Sequence, residues 1–497
     1  MSIDALIPLF VILSSFIPAI IIFTLPQEKH YTRTLLNLLG IFFTLVFVVW
    51  MFVGVYHGHN YEIHLPLIHN LDISLNAGPL ALFFTGLSSV LWFLTTIYAI
   101  GYLEGSAHSS RFFGFFSLCI TATIGVSLSG NLITFLIFYE ILTLSAYPLI
   151  IHRGTEESRI AGGKYLTYTL IGGALLLLGT VWLYTLTGTL EFTPKGFIGV
   201  IEAQHHFAVI MIFILLIAGF GVKAALFPLH GWLPLAMVAP APVSALLHAV
   251  AVVKAGAFGI VRVVYEVYGV ETAALLGLTT PLAILASITI IYGSLKALFE
   301  DNLKRRLAYS TVSQVSYIIL GIAIVGPIAT IGGIIHLVHQ GVMKITLFFG
   351  AGNFAETLGI HHVSEMNGVG KRMPWTMAAF SIGAFGMIGI PPIAGFISKW
   401  YLGYGALEAG QEWVILVLAL SSLLNAGYFL PILYRAWFLA PAESWPDEHD
   451  FGRWETKLSL LLPPVITAFF ALIFGLFAGS SWSPLSWVYL IIQREFY

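Results

Sequence analysis

Eight side chains carry the chemistry open to this sequence: Glu140, Lys223, His248, Lys254, His336, His339, Lys344 and Lys399. Each sits in an apolar stretch long enough to cross a bilayer. A charge near the bilayer centre costs at least ~3 kcal/mol on insertion scales. Burial penalises a charge, and an opposite charge nearby offsets that penalty. A movable Glu–Lys pair can therefore switch a lysine between holding and releasing a proton. Neutral imidazole passes a proton between its two nitrogens. The chemistry expected of such a set is proton transfer inside a membrane.

The densest stretch is residues 223–254, KAALFPLHGWLPLAMVAPAPVSALLHAVAVVK. A lysine stands at each end, with Pro228, Pro234, Pro240 and Pro242 between them and no acid. Proline in a spanning helix frees backbone groups that need partners in protein or a wet cavity. The bland reading of these prolines is a kink for packing. A stretch that accepts both the lysine cost and the proline cost reads instead as a transport pathway.

Glu140, in FLIFYEILTLSAYPL, is central in its span. It reads either as a structural ion pair or protonated acid, or as a proton carrier that tunes a nearby lysine. In GGIIHLVHQGVMKITLFFG, His336, His339 and Gln340 share one helix side, and Lys344 falls about 80° from His336. Such a polar stripe points to a wet interior path. A metal site is disfavoured because no acid or cysteine joins the histidines, and no metal or other cofactor is expected. His248 and Lys254 lie about 120° apart on an ideal helix, facing different neighbours. Lys399 follows the double proline of GMIGIPPIAGFISKW.

The elements that must position these groups follow from composition. Of 497 residues, 58% are hydrophobic and 9% charged, against about 25% charged in soluble domains. The expected class is an all-α polytopic membrane protein. The start, MSIDALIPLF, has no basic region and reads as a first spanning helix, not a cleaved signal. The single cysteine, Cys119, excludes a disulfide within the chain. A net charge of −2 gives no support to nucleic-acid binding.

Apolar runs place spans near 5–25, 33–55, 78–102, 111–129, 131–151, 163–187, 207–235, 242–265, 276–299, 306–325, 328–350, 373–404, 412–438 and 459–480. Fourteen lysines and arginines fall after odd-numbered spans, and three (Lys195, Arg262 and Arg494) on the opposite side. Basic residues favour the cytoplasm, so both termini are expected outside a cytoplasmic (inner) membrane. Lys296, near a span end, can snorkel. Spans seven and twelve are interrupted by prolines, and paired broken helices point to a conduction site at a repeat interface. The expected divisions are 1–110, a first repeat at 111–266, a second at 267–440, and 441–497 with the last helix and tail.

KAALFPLHGWLPLAMVAPAPVSALLHAVAVVKAGAFGIVR, DNLKRRLAYSTVSQVSY and GIPPIAGFISKW resemble motifs of the antiporter-like subunits shared by respiratory complex I, membrane-bound hydrogenases and Mrp-type cation/proton antiporters. The resemblance covers nearly the whole chain and is nearest to the D-type component of Mrp antiporters. It implies fourteen helices with two inverted five-helix repeats. It matches Glu140 to the span-five glutamate and Lys223 to its span-seven partner, Lys254 to the central span-eight lysine, and Lys399 to the span-twelve lysine. Gln340 stands where relatives often carry a second span-eleven histidine, with His339 one place earlier. The resemblance implies a proton-translocating subunit of a hetero-oligomeric membrane complex, moving protons and Na+. The alternative is a subunit of a complex I-like, hydrogenase or inorganic-carbon uptake machine. The chain shows no redox site of its own.

Overall fold

Long apolar runs have one low-cost solution in lipid, because a helix satisfies its backbone hydrogen bonds internally. The computed structural model follows that rule, and describes residues 3–68, 71–103, 105–200, 205–441 and 444–497. Spans one to six are Ile3–Thr24, His30–Tyr56, Pro79–Tyr102, Ser109–Leu128, Leu132–Ile150 and Glu156–Thr187. Span seven is His206–Lys223 followed by the short turn Trp232–Leu235, and span eight is Ala241–Tyr268. Spans nine to eleven are Thr279–Phe299, Leu303–Ala323 and Pro327–Leu358. Span twelve is split into Pro374–Ile388 and Ala394–Glu408. Spans thirteen and fourteen are Trp413–Phe438 and Leu458–Leu476.

Twelve of these helices are long and apolar enough to cross a membrane unaided. The other two are spans ten and twelve. Span ten opens on Lys304, Arg305 and Arg306 and is rich in hydroxyls, and span twelve is broken at Gly389–Ile393. Both are carried by their neighbours. Spans four to eight and nine to thirteen form two five-helix units, each with a broken fourth helix. Five crossings put the start of the second unit on the side opposite the first, so the repeats are inverted. Spans eight and eleven are wholly buried at the centre, while span two has an exposed apolar face. The buried helices are those that carry most of the titratable groups.

Several local expectations change. Span six starts at Glu156 rather than 163, because Thr155 Oγ1 caps it by accepting from Ser158 N at 3.2 Å. Span seven ends at Lys223, five residues ahead of Pro228, and is not one helix reaching 235. Ala225 then takes a positive φ of 56°. Trp232 Nε1 donates to Val222 O at 2.7 Å and partners a carbonyl at the broken end. Span eight contains π-helical turns at Leu246–Val250 and Val263–Tyr268. An antiparallel hairpin, Glu62–Ile68 with Leu71–Asn76, joins spans two and three. The tail forms a further helix, Pro484–Ile491.

Candidate functional site

Lys223 is fully buried, and its amine donates to the Tyr139 carbonyl, one residue before Glu140. The amine also lies 3.3 Å from the centre of the Tyr139 ring, a close cation–π contact. Tyr139 is held in turn by its hydroxyl, which donates to Gly219 O at 3.1 Å. Glu140 and Lys223 interact through their charges without forming an ion pair within 4.0 Å. Glu140 Oε1 is buried without a hydrogen-bond partner and lies against Gly173, where an added Cβ would stand 2.3 Å away. The carboxylate is therefore near enough to the lysine for their charges to act on each other, and no hydrogen bond fixes Oε1.

Span eight crosses the end of span seven at Gly256, where a Cβ would meet Ala224 N at 2.3 Å. This glycine sets the spacing between the Lys223 and Lys254 backbones. Lys254 is fully buried and donates to Leu337 O, in span eleven, at 2.8 Å. The His248 ring packs on Phe348, also in span eleven, at 4.5 Å between centroids. This segment is not an ideal helix: a π-turn at Leu246–Val250 and Ala251 at φ −113°, ψ −87° interrupt it. Both residues face span eleven.

Lys344 donates to Ser310 Oγ in span ten at 2.8 Å. Tyr428 donates to that oxygen at 2.9 Å and lies 2.7 Å from Asn425 Oδ1, both in span thirteen. Asn425 Nδ2 donates to Met387 O at 3.1 Å, and Lys399 donates to the same carbonyl at 3.1 Å. Lys399 also reaches Ile388 O at 2.8 Å and Ser422 Oγ at 2.9 Å. The break after Ile388 leaves these carbonyls without helical partners, and the lysine uses them. A hydrogen-bonded series of side chains and one carbonyl thus joins Lys344 to Lys399. A second contact line runs beside it: His336 Nδ1 meets Ser398 Oγ at 2.8 Å and its ring packs on Tyr317, over which Lys399 lies at 5.3 Å.

Buried polar atoms normally find partners, and each orphan carries a cost. Here both nitrogens of His248 and the side-chain amides of Gln314 and Gln340 are buried with none, while His336 and His339 face the backbone of Gln314 and Ala394. They lie on spans eight, ten and eleven, where the lysines meet. Water is the partner suited to such a set.

The structure brings Lys223 to Glu140, Lys254 to span eleven, and Lys344 to Lys399 through intermediates. His339 sits in the buried axis beside the Ala394 backbone of span twelve. Sequence reading missed Tyr139, Ser310, Ser398, Asn425, Ser422 and Tyr428. The run of hydroxyls in LAYSTVSQVSY is the one signal that pointed toward span ten.

The family described as NADH:quinone oxidoreductase/Mrp antiporter, TM, matches residues 129–425, more than half of the chain. The N-type NADH-quinone oxidoreductase subunit of Desulforudis audaxviator is 37% identical over 77% of both chains. The D-type Na(+)/H(+) antiporter subunit of Bacillus subtilis is 30% identical over 80% of this chain and 78% of its own. The oxidoreductase relative thus shares more identity with the chain than this antiporter relative does. A chain of the Mrp complex from Dietzia sp. DQ12-45-1b superposes with a TM-score of 0.83 at 22% identity, over 99% of this chain and 98% of that one. A chain of the archaeal membrane-bound sulfane sulfur reductase gives 0.85 at 24%, over 99% of each chain, and these two likenesses show the fold. The protein is a member of the NADH:quinone oxidoreductase/Mrp antiporter transmembrane family, whose relatives are antiporter-like subunits of multisubunit membrane complexes.

Proposed function

We propose that this chain conducts protons along a buried axis from Lys223 through Lys254 and Lys344 to Lys399, as one subunit of a hetero-oligomeric complex. The observation that carries the reading is that Ser310, Tyr428, Asn425 and the Met387 carbonyl form one polar cluster that holds both Lys344 and Lys399; the carbonyl accepts from both sides, so the cluster positions the two amines, and water passes the proton between them. Lysines are costly at this depth, and a hydrogen-bonded series between two of them gives a reason to keep them. Glu140 acts as the partner that biases Lys223. The orphaned His248 and glutamines hold water that bridges Lys254 to span eleven.

The 30% identity to the D-type Na(+)/H(+) antiporter relative supports a Na+/proton antiporter in the cytoplasmic membrane, both termini outside, as the parent complex. The spans four to eight and nine to thirteen act as two half-paths that meet at Lys254. A second reading, a complex I-like energy-coupling subunit, is favoured by the 37% identity to the N-type oxidoreductase relative. Co-purifying subunits separate the two: redox-cofactor proteins support the second.

The test is Lys254→Ala in the assembled complex. The expected result is loss of proton transport with normal assembly in the membrane. Normal transport by the assembled variant would refute the axis.

A further inference from the structure

Spans two, three, eleven and fourteen and the tail helix enclose a cleft of about 750 Å³, running in from the end of the bundle opposite the basic loops. Its rim is open: Val49 and Val53 of span two are 59% and 56% exposed. Its floor is span eleven, through Val338 and Val342, which are 6% and 2% exposed. Gly86 of span three gives the cleft its width, since a Cβ there would stand 2.7 Å from the Phe52 ring. Phe52 packs on Trp487 of the tail helix at 4.6 Å, and Trp487 Nε1 donates to Pro79 O at 2.9 Å. The tail helix is thus held in place as one wall.

The two ends of the cleft differ in chemistry. Along span two the lining runs from Leu45 to His57, about 18 Å of helix. That is close to one leaflet of hydrocarbon, about 15 Å. The deep part is aliphatic and aromatic and offers water no partners. An acyl chain matches it and reaches it from the bilayer. At the mouth stand His57, Ser481 and the exposed rings of Tyr56 and Trp482, the aromatic type found at headgroup level. Arg494 joins them. Its exposed guanidinium donates to Val55 O at 2.6 Å and to Tyr56 O at 3.2 Å. A guanidinium has more N–H donors than these two carbonyls use, so some remain for an anion. The neighbouring Glu495 is engaged elsewhere, accepting from Leu80 N at 3.0 Å. Among the described residues, no carboxylate lies within 4.0 Å of the Arg494 guanidinium.

We propose that this cleft is a phospholipid site, with one acyl chain lying against span eleven and the phosphate at the Arg494 guanidinium. Arginine matches phosphate through paired N–H donors. The site would put a lipid chain against Val338, the residue after the Leu337 carbonyl that holds Lys254. It does not depend on the proton-conduction reading.

The test is photolabelling of the assembled complex in phosphatidylglycerol and phosphatidylethanolamine vesicles. The probe is phosphatidylglycerol carrying a diazirine midway along one acyl chain. Span eleven is buried through the membrane, so a label on Val338 or Val342 arrives through the cleft. That label is expected in the parent. It should be lost in Gly86→Leu, which fills the cleft and meets only the far end of the Phe52 ring. It should fall several-fold in Arg494→Gln. The exposed face of span two should stay labelled in both variants, which controls for folding. An alkane with the same diazirine and no headgroup should label span eleven more weakly and ignore Arg494→Gln. No label on span eleven in the parent overturns the site, and capture of another subunit by a crosslinker at Val49 would give the cleft to a protein neighbour instead. Equal labelling by alkane and phospholipid, unchanged in Arg494→Gln, overturns the phosphate contact and with it the phospholipid.

Discussion

Lys344 donates to Ser310 at 2.8 Å across the contact between spans eleven and ten. That serine also meets Tyr428, which meets Asn425, which shares the Met387 carbonyl with Lys399. The link makes the second half of the axis testable one atom at a time.

Tyr428→Phe removes the hydroxyl and keeps the ring. A typical hydrogen bond contributes about 0.5–1.5 kcal/mol, so proton transport should fall up to about tenfold. Proton uptake by vesicles containing the assembled complex measures it. Unchanged uptake would mean that protons do not use this series.

Gly173→Ala and Gly256→Ala should act differently. At Gly173 the obstacle is the far end of the Glu140 side chain, which can turn away. The fold should keep its thermal stability while transport falls, because Glu140 is pushed from its place near Lys223. At Gly256 the obstacle is backbone, Ala224 N at 2.3 Å and Phe220 O at 2.7 Å. Overpacking of this kind costs about 1–3 kcal/mol, and the melting temperature should drop. Equal stability of both variants would contradict the packing described at Gly256.

Lys399→Ala should reduce transport about a hundredfold or more, the scale of losing a positioned proton-transfer group. Lys399→Glu should retain a fraction of activity, since either group carries a proton. The Met387 and Ile388 carbonyls accept hydrogen bonds and would oppose a carboxylate. The retained activity should therefore be larger at acidic pH, where the acid can donate to them. An alanine variant as active as the parent would remove Lys399 from the pathway.

Docking of the tail helix should weaken with rising pH. Glu495 is raised to about 8, by burial first and the Glu266 charge second. The docked state therefore binds its proton more tightly than the undocked state. The docking contribution is whole below the ordinary carboxylate range and is lost as pH rises through about 8. Amide exchange at residues 484–496, corrected for intrinsic rates, should quicken between pH 6 and 9 in the parent and stay flat in Glu495→Gln. Exchange that slows with pH would reverse the sign and refute the argument.

The amino-acid sequence by itself determined the class, the fourteen spans, the broken spans seven and twelve, and which charges lie deep. The reason is energetic. Each lysine or glutamate inside an apolar run carries an insertion cost large enough to stand out in one dimension. Span boundaries were less legible, because caps such as Thr155 and the helix end at Lys223 depend on single backbone partners. Tertiary structure alone decided what the deep groups touch. Tyr428 and Ser310 are 118 positions apart, and neither differs in type from a packing residue. Their role comes from helix packing, as does the approach of both His248 and Lys254 to span eleven. Tyr139 likewise serves Lys223 through its backbone carbonyl and ring face, groups whose placement no residue type announces.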